Sequence, residues 1–248
     1  MLKPKRRLFC FPYAGGSPTV FFSWVDKLPD DTELILAQFP GRGARFSEMP
    51  HNQMGSLIAD LLMEAQLFTE MPFALFGHSL GGLVAYELTY QLKLAGYQLP
   101  DFIVASACRA PHLPRGGKSI YDLPHPEFIE ELRNLNGTPK EILEDKELMK
   151  ILNSQLRADL EIAENYLGKA TKLPCPILVM NGDGDTNLGS DQLNAWQDLT
   201  QFTCSRVQIN GDHFFINQRR DEIIMEIFQH WNKFLKDFNL LKFSHANL

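Results

Sequence analysis

Short apolar runs alternate along this chain with longer segments in which apolar residues recur every three or four positions. The runs predict strands at Arg7 to Phe11, Glu33 to Gln38, Phe73 to Phe76, Phe102 to Ala107, Pro176 to Asn181 and Arg206 to Ile209. Helical spacing predicts helices near Val20 to Leu28, over Met54 to Phe68 through Leu57, Ile58, Leu61, Leu62 and Ala65, and from Leu83 to about Leu94, with Gly96 as its stop. Two more follow near Asp191 to Leu199 and from about Asp221 to Phe238. Strands alternating with helices imply a mainly parallel sheet covered on both faces. The rhythm breaks once. After Arg109 come Pro111, Pro114, Gly116 and Gly117, then two helical patterns with no strand between them, Pro126 to Leu135 and one within Leu148 to Tyr166. This all-helical insertion, residues 110–170, reads as a lid; the plainer alternative is a set of extra packing helices.

Composition narrows the class. At 248 residues, the chain is long enough for one α/β domain with a sizeable core, taken here as 1–248. No apolar run approaches the roughly 20 residues that cross a bilayer. The basic start, Lys3, Lys5, Arg6 and Arg7, leads into a short apolar segment carrying Pro12, Gly15 and Gly16, which lacks the longer apolar region of a signal peptide. A cytoplasmic monomer with no membrane partner is expected. Cys10, Cys108, Cys175 and Cys204 form no CxxC pair, so buried thiols are expected rather than a metal site. The net charge of -6 argues against nucleic acid as a partner but leaves room for an acidic protein that meets a local basic patch. No cofactor is expected.

The chemistry starts at Gly77-His78-Ser79-Leu80-Gly81, between an apolar run and an apolar helical pattern. A buried strand that turns sharply into a helix needs small residues two before and two after the turn. The residue at the apex is then held in a strained conformation with its side chain displayed. This is the nucleophile elbow of an α/β-hydrolase, with Ser79 as nucleophile. A serine hydroxyl needs a base, and the base needs a group to orient it. The chain supplies the α/β-hydrolase order: Ser79, then Asp183 or Asp185 after one strand, then His213 after the next. Loops at the C-terminal ends of parallel strands share one edge of the sheet, so the three can converge. Asp185 is preferred because it sits further into its loop, whereas Asp183 directly follows the strand, where turn capping is the ordinary role. The other six histidines read as ordinary, and His78 is expected to pack or bond locally. For the oxyanion, one backbone donor is expected from Leu80. The other is expected from the loop after the first strand, at Ala14, with Tyr13 as second choice.

Motifs along nearly the whole chain resemble the type II thioesterases of nonribosomal peptide and polyketide synthesis, and the related medium-chain fatty acid synthase thioesterase. They are Phe11-Pro12-Tyr13-Ala14-Gly15-Gly16, Pro40-Gly41-Arg42-Gly43-Ala44-Arg45, Phe76-Gly77-His78-Ser79-Leu80-Gly81-Gly82, Asn136-Gly137-Thr138-Pro139, Leu156-Arg157-Ala158-Asp159 and Gly211-Asp212-His213-Phe214-Phe215. The elbow alone is shared by many esterases. The segment around Arg157 and the Gly-Asp-His-Phe-Phe ending are more specific. The resemblance implies hydrolysis of acyl thioesters on the phosphopantetheine arms of acyl or peptidyl carrier proteins, in an editing role, and it matches the family's acid to Asp185. Two departures are Gly43, where the family often has an acidic residue, and Leu80, where it often has Met.

Three rivals share parts of this pattern. A malonyl-type acyltransferase also uses Gly-His-Ser-Leu-Gly, but there a Glu follows, where this chain has Gly82. A general carboxylesterase or lipase would use the same triad. A non-enzymatic module on a hydrolase fold would not need the acid, the histidine and the oxyanion loop together. The apolar faces of the insertion fit medium acyl chains. Arg109, Arg115 and Lys118 are the nearby bases for an acidic carrier, with a solvated loop as the plainer alternative.

Overall fold

The computed structural model describes residues 3–68 and 70–245, with side chains up to residue 236. Six strands build one sheet: β1 (Arg6–Phe11), β2 (Thr32–Leu36), β3 (Phe73–His78), β4 (Ile103–Ser106), β5 (Ile177–Gly182) and β6 (Ser205–Ile209). Their order is β2-β1-β3-β4-β5-β6, and every neighbouring pair is parallel. The inner strands β1, β3, β4 and β5 read as near-continuous apolar runs because both faces of the sheet are buried there, whereas the edge strands β2 and β6 are mixed. Alternate side chains go to opposite cores. Phe9, Leu75, Ile103 and Val179 join the core on one face. Leu8, Phe76, Val104 and Met180 join the core on the other.

Helices α1 (Met54–Leu62) and α2 (Leu80–Leu94) cover the first face. The second face is covered by α7 (Arg220–His245) and a 3-10 helix over Pro18–Lys27. The α2 helix ends at Gly96, where Tyr97 N–H bonds Leu92 O at 2.9 Å. Three helices differ from the sequence expectation. The segment near Val20 is 3-10 rather than α, and it buries Phe21 and Trp24, three residues apart and both 0% exposed, on one face. The helix from Met54 breaks after Leu62. A short 3-10 turn over Ala65–Phe68 then swings Phe68 onto Phe9, ring centroids 4.5 Å apart. The one near Asp191 is α6 (Ser190–Asn194) running on into a 3-10 turn, Ala195–Leu199. Cys10, Cys108 and Cys175 are buried thiols and Cys204 is half-buried. No helix among the described residues is long and apolar enough to cross a membrane.

Between β4 and β5 lie α3 (His125–Leu135), α4 (Lys140–Glu144) and α5 (Lys146–Asn165). The short α4 was not expected from the sequence. Asp145 caps α5, accepting from Glu147 and Leu148 N–H at 2.9 and 3.0 Å. These helices carry a small core of their own that includes Phe128, Leu132, Leu143, Met149 and Leu156.

Two arginines tie α5 to the sheet domain. Arg42, in the loop after β2, makes a bidentate pair with Asp159 of α5, both distances 2.7 Å, with both side chains about 5% exposed or less. Asp159 Oδ2 also accepts Gly15 N–H at 2.7 Å, and Arg42 donates to Gly16 O at 2.8 Å. Arg109, at the end of β4, donates to Ala163 O and Tyr166 O at the C-terminus of α5, at 3.2 and 2.8 Å. A cation there also meets the negative end of the helix dipole. Removing one partner of a buried pair strands the other charge, at a cost of about 3–5 kcal/mol. Asp159→Asn is therefore expected to lower the melting temperature by on the order of 10 °C, read by circular dichroism. Glu144→Gln, which breaks the exposed Lys140–Glu144 pair, should shift stability by no more than about 0.5 kcal/mol. Equal melting of Asp159→Asn and the parent chain would remove the pair from this role.

Candidate active site

Ser79 sits between the last residue of β3 and the first residue of α2, with φ 53° and ψ -114°. Such a backbone costs about 1–3 kcal/mol and persists only where its surroundings over-determine it. The surroundings are tight. A Cβ on Gly77 would lie 1.9 Å from Gly81 O, and one on Gly81 would lie 2.1 Å from Phe11 O. Only glycine lets strand, helix and the end of β1 meet this closely. Ser79 N–H is held by Ser106 O of β4 at 2.8 Å.

The loops after β5 and β6 bring Asp185 and His213 to this turn. His213 Nε2 lies 3.1 Å from Ser79 Oγ, and His213 Nδ1 lies 2.7 Å from Asp185 Oδ2. A carboxylate only accepts, so Nδ1 carries the proton; in the neutral ring Nε2 is then bare and faces the serine hydroxyl. The Asp185 side chain is 0% exposed. Burial pushes its carboxyl up, but the bond and charge of His213 and the N–H of Asn187, 2.9 Å away, leave it below the usual carboxylate range. Asp183 does other work. Its exposed carboxylate accepts Gly211 N–H at 2.9 Å and Asn210 Nδ2 at 3.2 Å, clamping the turn before His213; these bonds hold its pKa down.

Ala14 and Tyr13, in the loop after β1, and Leu80, first residue of α2, line a cavity of about 350 Å³ together with Ser79 and His213. First-turn N–H groups of a helix have no acceptor within it, so the Leu80 N–H is an available donor by position. The far wall is mostly apolar, with Leu83 of α2, Leu132 of α3 and Leu156 and Leu160 of α5. Arg115 and Glu164, paired at 3.3 Å, add charge to one side. Gly137, in the turn after α3, lies against Phe214: a Cβ there would be 2.3 Å from its ring.

One expectation is corrected and another is refined. Arg109 is not available to a carrier: it is 6% exposed and its guanidinium is occupied by backbone carbonyls, Leu113 O at 2.9 Å as well as the two on α5. A basic residue in loop-like sequence reads as surface, and nothing local betrays its carbonyl partners. His78 packs, as expected, against the rings of Tyr13, Phe214 and Phe215, but its hydrogen bonds reach distant parts of the chain. Its imidazole reaches Ser106 Oγ of β4 at 2.9 Å and the backbone carbonyl of His213 at 2.8 Å. Burial first, and the neighbouring His213 second, push its pKa down to about 3, so the ring is neutral. The Arg42–Asp159–Gly15 cluster also lay outside the sequence reading of function, although both charged residues fall in its motifs. Among the described residues no group of three or more His, Cys, Asp or Glu side chains could hold a metal ion.

The chain is similar to known proteins over nearly its whole length. The thioesterase-domain family model matches residues 6–231, from β1 into α7. The gramicidin S biosynthesis protein GrsT of Aneurinibacillus migulanus is 36% identical over 221 residues, covering 89% of this chain and 86% of that protein. Among solved structures, ClbQ from the colibactin nonribosomal peptide/polyketide pathway is 30% identical with a TM-score of 0.86, covering 96% of this chain and 99% of its own. The type II thioesterase BorB from the borrelidin biosynthetic cluster is 32% identical with a TM-score of 0.82, covering 92% and 93%. The fold is that of the α/β-hydrolase thioesterases, and the chain belongs to the thioesterase family, enzymes that hydrolyse thioester bonds.

Proposed function

We propose that this chain is a type II, editing thioesterase that clears acyl groups from the phosphopantetheine arms of acyl or peptidyl carrier proteins in nonribosomal peptide or polyketide synthesis. The observation that carries the reading is the run of hydrogen bonds from Ser79 through His213 to Asp185, opening onto a mostly apolar cavity under a helical insertion. ClbQ belongs to a nonribosomal peptide/polyketide pathway and BorB is a type II thioesterase of a biosynthetic cluster, which supports the pathway class. No comparison favours the esterase or acyltransferase alternatives.

In the reaction, Ser79 Oγ attacks the thioester carbonyl while its proton passes to His213 Nε2. Asp185 holds the ring in the tautomer that accepts this proton and stabilises the imidazolium. The oxyanion is bound by the N–H groups of Leu80 and Ala14. The C–S bond then breaks, and the pantetheine sulfur leaves as a thiol with the proton from His213. Water attacks the acyl-serine, giving a proton to His213. The ester bond to Ser79 breaks, the acid departs and the proton returns to Oγ. In this reading α3, α4 and α5 form the lid, and Leu132, Leu156 and Leu160 receive the acyl chain. Arg115 and Lys118 remain as bases near the cavity that an acidic carrier could meet.

Ser79→Ala should lower turnover of an acyl-carrier thioester by about 10⁴-fold or more and abolish fluorophosphonate labelling. Near-parental hydrolysis in that variant would end the covalent scheme. Asp185→Asn should lose most activity while Asp183→Asn stays well above it; the reverse order would move the acid to Asp183. Ala14→Pro removes one oxyanion donor and should cost about 100- to 1,000-fold in kcat, measured on the same substrate. Matched acyl groups on carrier protein, on coenzyme A and as simple oxygen esters should be hydrolysed with kcat/KM falling in that order. A preference for the oxygen ester would favour a carboxylesterase.

A further inference from the structure

Four hydrogen bonds close a ring behind the nucleophile. Ser79 N–H donates to Ser106 O at 2.8 Å. The Ser106 hydroxyl meets His78 Nδ1 at 2.9 Å, and His78 Nε2 meets His213 O at 2.8 Å. His213 Nε2 returns to Ser79 Oγ at 3.1 Å. His78 and Ser106 are the last residues of β3 and β4 and are register partners, so their side chains share one face of the sheet. Both are 0% exposed and neither lines the cavity, so neither meets an acyl group there.

The proton positions in the ring follow from chemistry. The His213 carbonyl can only accept, so His78 Nε2 carries the hydrogen. The buried ring is neutral, so Nδ1 is bare and takes the hydrogen of the Ser106 hydroxyl. Packing alone does not call for an imidazole here. The ring lies edge-on to Phe215 at 5.3 Å and to Tyr13 at 5.9 Å, contacts that a phenyl ring would also make. An imidazole adds one donor and one acceptor, and both are used. The other anchors of this loop act on its neighbours: before His213, Asp183 holds Asn210 and Gly211, and Gly211 O accepts Gly184 N–H at 2.9 Å; after it, Asp212 accepts Phe214 N–H at 2.9 Å and Phe215 is buried in the core. His78 acts on the peptide of His213 itself.

We propose that His78 and Ser106 are positioning residues, a brace that holds the general base His213 at working distance from Ser79. The proposal rests on the triad reading given above. It assigns no proton transfer to His78, whose role is to fix where the His213 backbone lies. Misplacement of a reacting group by about 1 Å can cost on the order of 100-fold in rate, so loss of the brace acts on kcat more than on KM.

The test uses His78→Phe, which keeps the ring and removes both hydrogen bonds, and Ser106→Ala, which removes one oxygen. Each is expected to lower kcat on an acyl-carrier thioester by about 10- to 100-fold with KM within about twofold. The double variant should be little worse than the poorer single, because one cut already opens the ring. His78→Gln, whose amide offers both a donor and an acceptor, should recover part of kcat. The downfield proton resonance of His213 Nδ1–H bonded to Asp185 should be sharp in the parent chain and broadened in both variants. Folded variants with parental kcat and an unchanged resonance would overturn the brace. Should His78→Phe fail to fold, the milder Ser106→Ala decides alone. If the parent chain cleaves no thioester, the reaction assignment fails; the brace is then judged by the resonance and by the rate of fluorophosphonate labelling, where unchanged values overturn it.

Discussion

The pair formed by Arg42 and Asp159 joins three segments that the chain places far apart. Arg42 follows β2, Asp159 lies on α5, and Gly15 and Gly16 follow β1. A buried ion pair is poor evidence for stability, since desolvation can offset its attraction. Its value lies in geometry. The carboxylate spends one oxygen on both the guanidinium and Gly15 N–H, so α5 cannot shift without disturbing the loop that presents Ala14 to the cavity. Gly15 also suits this position because its φ of 78° is one that side chains rarely adopt, and a Cβ there would push against Leu156 Cδ2, 2.3 Å away. The wall of the cavity and its proposed oxyanion donor are thus set by one contact.

The elbow obeys a different constraint. Its strain is held by close backbone approach, with Gly77 against Gly81 and Gly81 against Phe11, and by the hydrogen bond from Ser79 to Ser106. These restraints are short in range. They fix where Ser79 points but say nothing of where a histidine 134 residues later will lie. That is left to the clamp of Asp183 on the β6 loop and to His78.

What was legible in the sequence follows from this difference in range. The central strands β1, β3, β4 and β5 were readable because burial on both faces turns each into an apolar run, while the edge strands β2 and β6 showed only alternation. The elbow was readable because steric exclusion leaves small residues at fixed offsets from Ser79. The order Ser79, Asp185, His213 could be read because each follows a strand and parallel strands share an edge. The pairing of Arg42 with Asp159 left no such trace: a contact spanning 117 residues has no local period. The backbone carbonyls that occupy Arg109, and the hydrogen bonds of His78 to Ser106 and His213, are invisible for the same reason, being remote from any local pattern. The helix α4, five residues long, is shorter than two turns and shows no periodicity to detect. At Pro18–Lys27 the apolar spacing of three was visible in Phe21 and Trp24, but it fits an α-helix and a 3-10 helix alike.

Helix α5 is fastened twice, by Asp159 near its middle and by Arg109 at its end. A rod held at two points can neither slide nor roll. Leu156 and Leu160 therefore form a rigid side of the cavity, while α3 and α4 have no comparable buried ionic fastening to the sheet domain among the described residues. In the proposed reading the acyl chain would lie between one wall pinned to the sheet domain through α5 and another, on α3, that carries no such pin.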